Sequence, residues 1–324
     1  MFNADMQYRY MGKSGLRLSA LSLGGWTTYG ASVKDEDTVE SIIKHAYSAG
    51  VNFFDISDIY EKGEAEKAMG RVFKELPRHE LVISTKVFWP MSEDVNDTGL
   101  SRKHIFESIE KSLKRIGTDY VDIYFCHRPD PNTPAEETAC AMSDLIRQGK
   151  VLYWGTSEHS AAQIHAASTA AREWYAYPPR VEQPQLSLVA RHRYHTEVQP
   201  AVEELGMGVV TWSPLASGLL SGKYDDGLPE GARLWRSENL RNSYLTEDNK
   251  QRVKKFKTLA DEVGVTRAQL AIAWCLAQKG VSSVITGATK LEQLKHNLEA
   301  LKVQITPEVS KRIDEIFPPT MGKK

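Results

Sequence analysis

Apolar, β-rich runs recur eight times along this chain, at Leu18–Leu23, Val51–Asp55, Leu81–Lys86, Tyr120–Cys126, Val151–Thr156, Val181–Gln185, Met207–Trp212 and Val281–Ile285. Helical patterns separate them, at Asp37–Ala49, Glu64–Leu76, Arg102–Ile116, Ala135–Gln148, Ala161–Trp174 and Thr196–Leu205, each with apolar residues three and four apart. In SRKHIFESIEKSLKRIG, for example, Ser101 opens a stripe of Ile105, Ile109, Leu113 and Ile116 that Gly117 ends. Strand starts in the middle of the chain fall roughly 30 to 40 residues apart, the length of a βα unit. The pattern predicts an α/β protein, a closed (β/α)8 TIM barrel forming a single domain over residues 1–324. A long loop should follow the seventh strand, and extra helices should close the C-terminal end. An open doubly wound sheet would carry a G-x-G-x-x-G turn after its first strand, and that turn is missing. The only tight G-x-G, Gly206–Met207–Gly208, precedes a strand and reads as an ordinary turn.

Composition narrows the function classes. Lysine and arginine number 41 against 42 acidic residues, a net charge of −1, so nucleic acid or an anionic membrane is not expected as the main partner. No apolar stretch approaches the roughly 20 residues that span a bilayer, and the opening MFNADMQYRYMGKSG lacks the apolar core of a signal peptide, so a cytoplasmic location is expected. Three widely spaced cysteines, Cys126, Cys140 and Cys275, argue against a disulfide framework or a thiolate zinc cluster. No metal is expected. His192 and His195 lie three apart with no third ligand in view, and there is neither an H-x-H after a strand nor a G-x-S-x-G elbow.

Three of the strand runs end in polar groups of different kinds: Asp55 and Tyr60 after VNFFD, Lys86 closing LVISTK, and His127 after YVDIYFC. A barrel brings the C-terminal ends of its strands to one rim, so these scattered residues can meet around one substrate. Taken singly, a strand-end tyrosine is more often packing and a Lys–Asp pair more often a salt bridge. Together they make a proton donor for a carbonyl. Hydride attack creates an alkoxide that must be stabilised and protonated. Tyr60 can give the proton, Lys86 can lower the phenol's pKa, Asp55 can hold the lysine charged, and His127 can orient the carbonyl oxygen.

The regularity breaks once. After the seventh strand, TWSPLASGLLSGKYDDGLPEGARLWRSENLRNSY runs about thirty residues before a helix at Glu247, too long for an ordinary connection. Its small residues let backbone amides approach an anion, and Lys223 and Arg233 add positive charge. After the eighth strand, Gly287, Thr289 and Lys290 stand at a helix start, where free N–H groups favour phosphate.

In its segments GVNFFDISDIY, VISTKVFW, YVDIYFCHRPDP, YWGTSEHS, VEQPQ, TWSPLASGLLSGKY, QLAIAWCL and VSSVITGATKLEQLKHN the chain resembles the aldo-keto reductases, over about Tyr8 to Phe317. It is most similar to the branch that holds the β-subunits of voltage-gated potassium channels and their plant and fungal relatives. The resemblance implies metal-free, reversible NAD(P)H-dependent reduction of aldehydes and ketones, with Asp55, Tyr60, Lys86 and His127 as the catalytic tetrad. It further implies that Trp212 stacks on the nicotinamide, that Ser157 and Gln183 hold its carboxamide, and that Gly25 and Trp26 lie in the first strand-end loop of the site. Ser213, Pro214, Leu215, Ala216, Ser217 and Lys223 match the loop covering the pyrophosphate, while Arg233, Thr289, Gln293 and Asn297 match the adenosine end. With Gly287 and Lys290 beside them, these residues favour NADPH (NADP+) over NADH. Two expectations about partners follow: a homotetramer, and in a second reading a regulatory β-subunit bound to a membrane potassium channel, with NADPH as redox sensor.

The chain also departs from that branch. Animal channel β-subunits usually carry asparagine where His127 stands, so this chain keeps the enzyme-like donor. They have arginine at the position of Glu158, and a glutamate where His296 stands beside Asn297. Trp26, Tyr29, Trp89 and Trp235 are candidates for the walls of a substrate pocket.

Overall fold

The computed structural model describes residues 6–30 and 32–320. Its strands, in chain order, are β1 (Tyr8–Tyr10), β2 (Arg17–Ser19), β3 (Leu21–Gly24), β4 (Phe53–Asp55), β5 (Val82–Val87), β6 (Val121–Cys126), β7 (Val151–Ser157), β8 (Val181–Gln183), β9 (Gly208–Thr211) and β10 (Val281–Thr286). The last eight close into a parallel barrel in the order β10, β3, β4, β5, β6, β7, β8, β9. Helices α1 (Glu36–Ser48), α2 (Glu64–Phe73), α3 (Arg102–Ile116), α4 (Ala135–Arg147), α5 (Ala161–Glu173) and α6 (Gln199–Leu205) occupy the connections up to β9. The connection from β9 to β10 holds α7 (Arg233–Arg236), α8 (Glu238–Tyr244), α9 (Glu247–Val263) and α10 (Arg267–Leu276), and α11 (Leu291–Leu298) and α12 (Pro307–Ile316) end the chain. This is the (β/α)8 TIM barrel expected from the strand and helix pattern. Among the described residues no helix is long and apolar enough to cross a membrane.

Every residue of β5 and β6 is buried, as a parallel strand covered by helices on one side and barrel core on the other requires. The anticipated helix stripes do that covering. On α3, Ser101 accepts from the His104 amide, Ile105, Ile109, Leu113 and Ile116 are buried, and Gly117 ends the helix at φ 77°. Each such apolar side chain contributes roughly 1.5–3 kcal/mol by leaving water.

Three features differ from the sequence reading. The run Leu18–Leu23 is two strands, because β2 pairs antiparallel with β1 to form a hairpin before the chain enters the barrel. That hairpin carries buried Met11 and Leu18 onto Phe53, Ile123, Phe125 and Val210 of the barrel interior. Gly208 serves this contact: a Cβ there would lie 2.8 Å from the Gly12 nitrogen, so the glycine spacing reflects backbone packing. The helix expected at Thr196–Leu205 begins instead with a π-type turn over Tyr194–Val198. Pro200 lacks the N–H that the Thr196 carbonyl would take, which favours the shifted register. Finally, the long loop after β9 is folded by its own apolar residues, with Leu219, Leu220, Tyr224, Leu234 and Tyr244 buried beneath it.

Candidate active site

Parallel pairing places the C-terminal ends of β4, β5 and β6 side by side, and three consecutive neighbours deliver Asp55, Lys86 and His127. Lys86 is fully buried. Its Nζ donates to Asp55 Oδ2 at 2.7 Å, to the Ile56 carbonyl at 2.8 Å and to the Tyr60 hydroxyl at 3.1 Å. The same nitrogen lies 4.8 Å from the centre of the Tyr60 ring. Asp55 uses its second oxygen as well, accepting from Ser84 Oγ at 2.7 Å and Gln183 Nε2 at 3.0 Å. The His127 ring stands edge-on to Tyr60, centroids 5.8 Å apart, and Trp89 flanks it at 6.3 Å. The four residues singled out from the sequence therefore lie together at the C-terminal rim of the barrel.

The electrostatics run partly against the sequence expectation. Burial pushes the Tyr60 phenol upward; the Lys86 ammonium opposes that, Asp55 adds to it, and the net shift is up. Tyr60 thus keeps its proton at neutrality and is suited to give it away. Burial also works against charge on Lys86, but Asp55 and Tyr60 more than offset it, and the ammonium is held above its ordinary value. His127 is pushed well below the usual histidine range by burial and then by the Lys86 and Arg128 cations, so its ring is neutral.

Backbone strain gathers on this rim. Among the described residues, non-glycine positions with positive φ are Thr27, Glu61, Lys62, Glu158, Tyr175, Ser213, Ala216 and Ser217, and all but Tyr175 lie in loops after the C-terminal ends of barrel strands. Such conformations cost of order 1–3 kcal/mol each and cluster where a loop is shaped for a ligand. Ser213, Ala216 and Ser217 fall within the loop that the sequence assigned to a pyrophosphate. Ser217 Oγ is buried with no hydrogen-bond partner among the described residues, an atom suited to an anion's oxygen. A dinucleotide phosphate fits that loop.

The loops after β9, β10 and β3 are neighbours around the barrel, and they carry the remaining candidates. Trp212 meets Trp26 edge-on at 5.5 Å. Arg233 lies 4.8 Å over the Trp26 ring and donates to the Trp26 carbonyl and to Thr27 Oγ1. Its guanidinium thus stands by the first strand-end loop. Thr289 donates to Gln293 Oε1 through its amide at 2.8 Å and its hydroxyl at 3.0 Å, while Asn297 is buried on α11 and Lys223 is exposed. Gly25 donates its amide to the Asp55 carbonyl at 2.9 Å, and a Cβ on Gly287 would lie 3.5 Å from Thr28 Oγ1. Ser157 Oγ donates to the Gln183 carbonyl at 2.9 Å. Pro214 is buried and Leu215 half-buried at the start of the same strained loop.

Glu158, flagged as a departure, holds several partners. It accepts from the Trp212 indole at 3.0 Å, the Gln185 amide at 2.6 Å and Arg193 Nη1 at 2.6 Å. His296 turns to Thr266, its Nε2 2.8 Å from the hydroxyl that caps α10. Sequence reasoning missed Ser84, Ser57 and Asp58. Ser84 was legible, because residues two apart on a strand share a face and Lys86 points inward. Ser57 and Asp58 lie outside the strand, where no period applies.

Residues 20–317 match the model of the Aldo/keto reductase family. A protein of Arabidopsis thaliana named "Probable voltage-gated potassium channel subunit beta" is 48% identical over 319 residues, covering 96% of this chain and 97% of its own length. A rice protein of the same name is 46% identical over 318 residues, with 96% of each chain covered. The "Putative voltage-gated potassium channel subunit beta" of Schizosaccharomyces pombe is 43% identical over 322 residues, covering 97% and 94%.

Proposed function

Because this chain belongs to the aldo/keto reductase family and is thereby an oxidoreductase, we propose that it reduces small aldehydes or ketones to alcohols with NADPH, acting as a single domain. The observation that carries the reading is the Tyr60 hydroxyl 3.1 Å from a fully buried ammonium that is itself 2.7 Å from Asp55. NADPH, when bound, supplies the hydride. Trp212, Ser157 and Gln183 would hold its nicotinamide; Ser213, Leu215 and Ser217 its pyrophosphate; and Gly287, Thr289, Lys290, Gln293 and Asn297 its adenosine end. Trp26 and Arg233 would cover the groove between them.

The protein's own share of the chemistry is proton management. A carbonyl oxygen resting between Tyr60 and His127 meets a neutral phenol that can donate to it. As negative charge grows on that oxygen, Lys86 stabilises the phenolate left behind, and Asp55 keeps Lys86 charged. His127 orients the oxygen, while Trp89 and Trp26 supply apolar walls that exclude water.

Replacing Tyr60 by phenylalanine should lower kcat for an aldehyde by about 10²–10⁴ while NADPH still quenches tryptophan fluorescence at near wild-type affinity. Unchanged turnover in that variant sinks the assignment. The names of the three relatives favour a second reading, a cytoplasmic β-subunit that docks on a potassium channel and reports redox state through its nucleotide. Co-purification with a channel's cytoplasmic domain and a homotetramer by mass photometry support it; rapid multiple turnover without such a partner removes it.

A further inference from the structure

Behind His127 lies a hydrogen-bond chain that the tetrad does not use. His127 Nδ1 is 3.2 Å from Ser57 Oγ, and Ser57 Oγ is 3.0 Å from Asp58 Oδ1. Asp58 also accepts from the Ile59 amide at 2.6 Å and from Ser108 Oγ at 3.0 Å. Ser57 and Asp58 are both fully buried, and His127 is 6% exposed. A neutral imidazole carries one proton, and a serine hydroxyl has one to give. The direction of the Ser57 hydroxyl therefore decides which nitrogen of His127 is protonated.

We propose that Ser57 and Asp58 are positioning residues that set the tautomer of His127, so that His127 offers a donor to the carbonyl oxygen only while Asp58 holds a proton. The inference rests on the reading of His127 as the group that orients the carbonyl. With Asp58 protonated, its O–H donates to Ser57, Ser57 donates to Nδ1, and Nε2 carries the ring proton on the opposite edge. With Asp58 ionised, the Ser57 O–H donates to the carboxylate, Nδ1–H donates to Ser57, and Nε2 is a bare acceptor that repels a carbonyl oxygen. The proton count balances: three protons shared by Asp58, Ser57 and His127 become two. The Nε2 proton leaves to the pocket, that of Ser57 passes to Nδ1, and that of Asp58 to Ser57.

The surroundings place this switch near neutrality. Burial, and then the Glu66 carboxylate on α2, push Asp58 up to about 7. Glu66 is paired with Arg115 of α3 at 2.5 Å and accepts from Thr85 of β5 at 2.6 Å. From β6, Tyr124 faces the same carboxyl, and burial holds its phenol far above neutrality. His127 itself feels Lys86 and Arg128, both of which keep its ring from gaining a second proton.

The test is a long-range ¹H–¹⁵N correlation spectrum of the whole protein, ¹⁵N-labelled at histidine and saturated with NADP+, titrated from about pH 6 to about pH 9. The His127 signal is assigned by its disappearance in His127→Gln. We expect Nε2–H at the acid end, Nδ1–H at the alkaline end and a midpoint near that of Asp58. In Ser57→Ala and Asp58→Asn the tautomer ratio should not move with pH, and the matching fall in kcat, about tenfold in the wild type, should be absent. A wild-type tautomer that stays constant overturns the inference, whether or not Ser57→Ala and Asp58→Asn fold. So does a switch of equal size in Ser57→Ala. If His127→Gln keeps kcat within about threefold of wild type, the underlying reading of His127 fails instead. If kcat falls about tenfold or more there while the tautomer is constant, only the Ser57–Asp58 inference fails.

Discussion

Replacing Asp55 by asparagine removes one negative charge from a site that water does not reach. Lys86 is fully buried, and of its three partners only Asp55 is charged; the Ile56 carbonyl and the Tyr60 hydroxyl remain. Leaving a buried cation without its counter-ion costs about 3–5 kcal/mol. The variant has one alternative, to release the lysine proton. Bringing a lysine from its usual value near 10.4 down to pH 7 costs about 4–5 kcal/mol at 1.36 kcal/mol per unit. The two routes cost nearly the same, so a deficit of about 3–5 kcal/mol in urea unfolding at pH 7 is expected by either.

They share a signature in pH. In the variant the folded-state pKa of Lys86 falls below its unfolded value, so the deficit should shrink as pH rises toward about 10. Wild type behaves in the opposite sense, because its Lys86 is held above the ordinary value and its contribution persists below that range. Activity should drop by about 10²–10³, the usual consequence of losing one charged stabiliser of a developing oxyanion. Adding Lys86→Met to the variant removes the orphaned charge, and most of the lost stability should return without any activity. A loss below about 1 kcal/mol, independent of pH, would refute the view of Asp55 and Lys86 as a buried ion pair.

Above about pH 6.5 stability should fall, and below it two opposing trends meet. Burial and then Glu66 push Asp58 up to about 7, while burial chiefly, with Glu158 adding, pushes Glu182 up to about 8. Each binds its proton more tightly folded than unfolded, so its contribution is lost as pH rises from the unfolded carboxylate value of about 4 up to those values, and nothing further is lost above them. On the acid side, burial holds His127 well below its ordinary range and brings His159 down to about 4, so stability is lost as pH falls below the unfolded histidine value of about 6.5. Melting temperatures from about pH 5 to pH 9 check this, and a Tm that climbs from pH 7 to pH 9 contradicts it. Gly155→Ala should destabilise by about 1–3 kcal/mol, since its Cβ would lie 2.4 Å from the Val181 carbonyl oxygen on the adjoining strand. A denaturation midpoint equal to wild type would mean that β7 and β8 can part without cost. Glu158→Gln weakens the charge-assisted hold on the Trp212 indole and on Arg193. NADPH affinity should fall about threefold to tenfold by fluorescence titration, with little change in unfolding midpoint.

The legible part of the site is the part that repeats with the fold. Asp55, Lys86 and His127 end or follow runs whose apolar pattern marks them as strands, and once those strands are parallel their last residues must share a rim. Tyr60 was reachable because it follows Asp55 by one short turn. Ser57 and Asp58 lie in that same turn but carry no signal in the sequence, since their meaning depends on α3 and β6, which bring Ser108 and His127 against them. The upward shift of Tyr60 is hidden from the sequence for a related reason: the ammonium beside it is evident from residue types, but the burial that outweighs it is a property of packing.

Periodicity in this chain determines a closed parallel barrel and the rim on which its polar strand ends gather, because side-chain period and connection length act locally. It does not reveal the hairpin that seals the barrel floor, the π-type turn before Pro200, or the helices within the long loop after β9. Those depend on contacts between distant segments, such as Gly12 against Gly208 and Tyr224 beneath Leu234. The proton positions of the site belong to the same class. A residue type fixes what a group can donate or accept, and only its neighbours in the folded chain decide which it does.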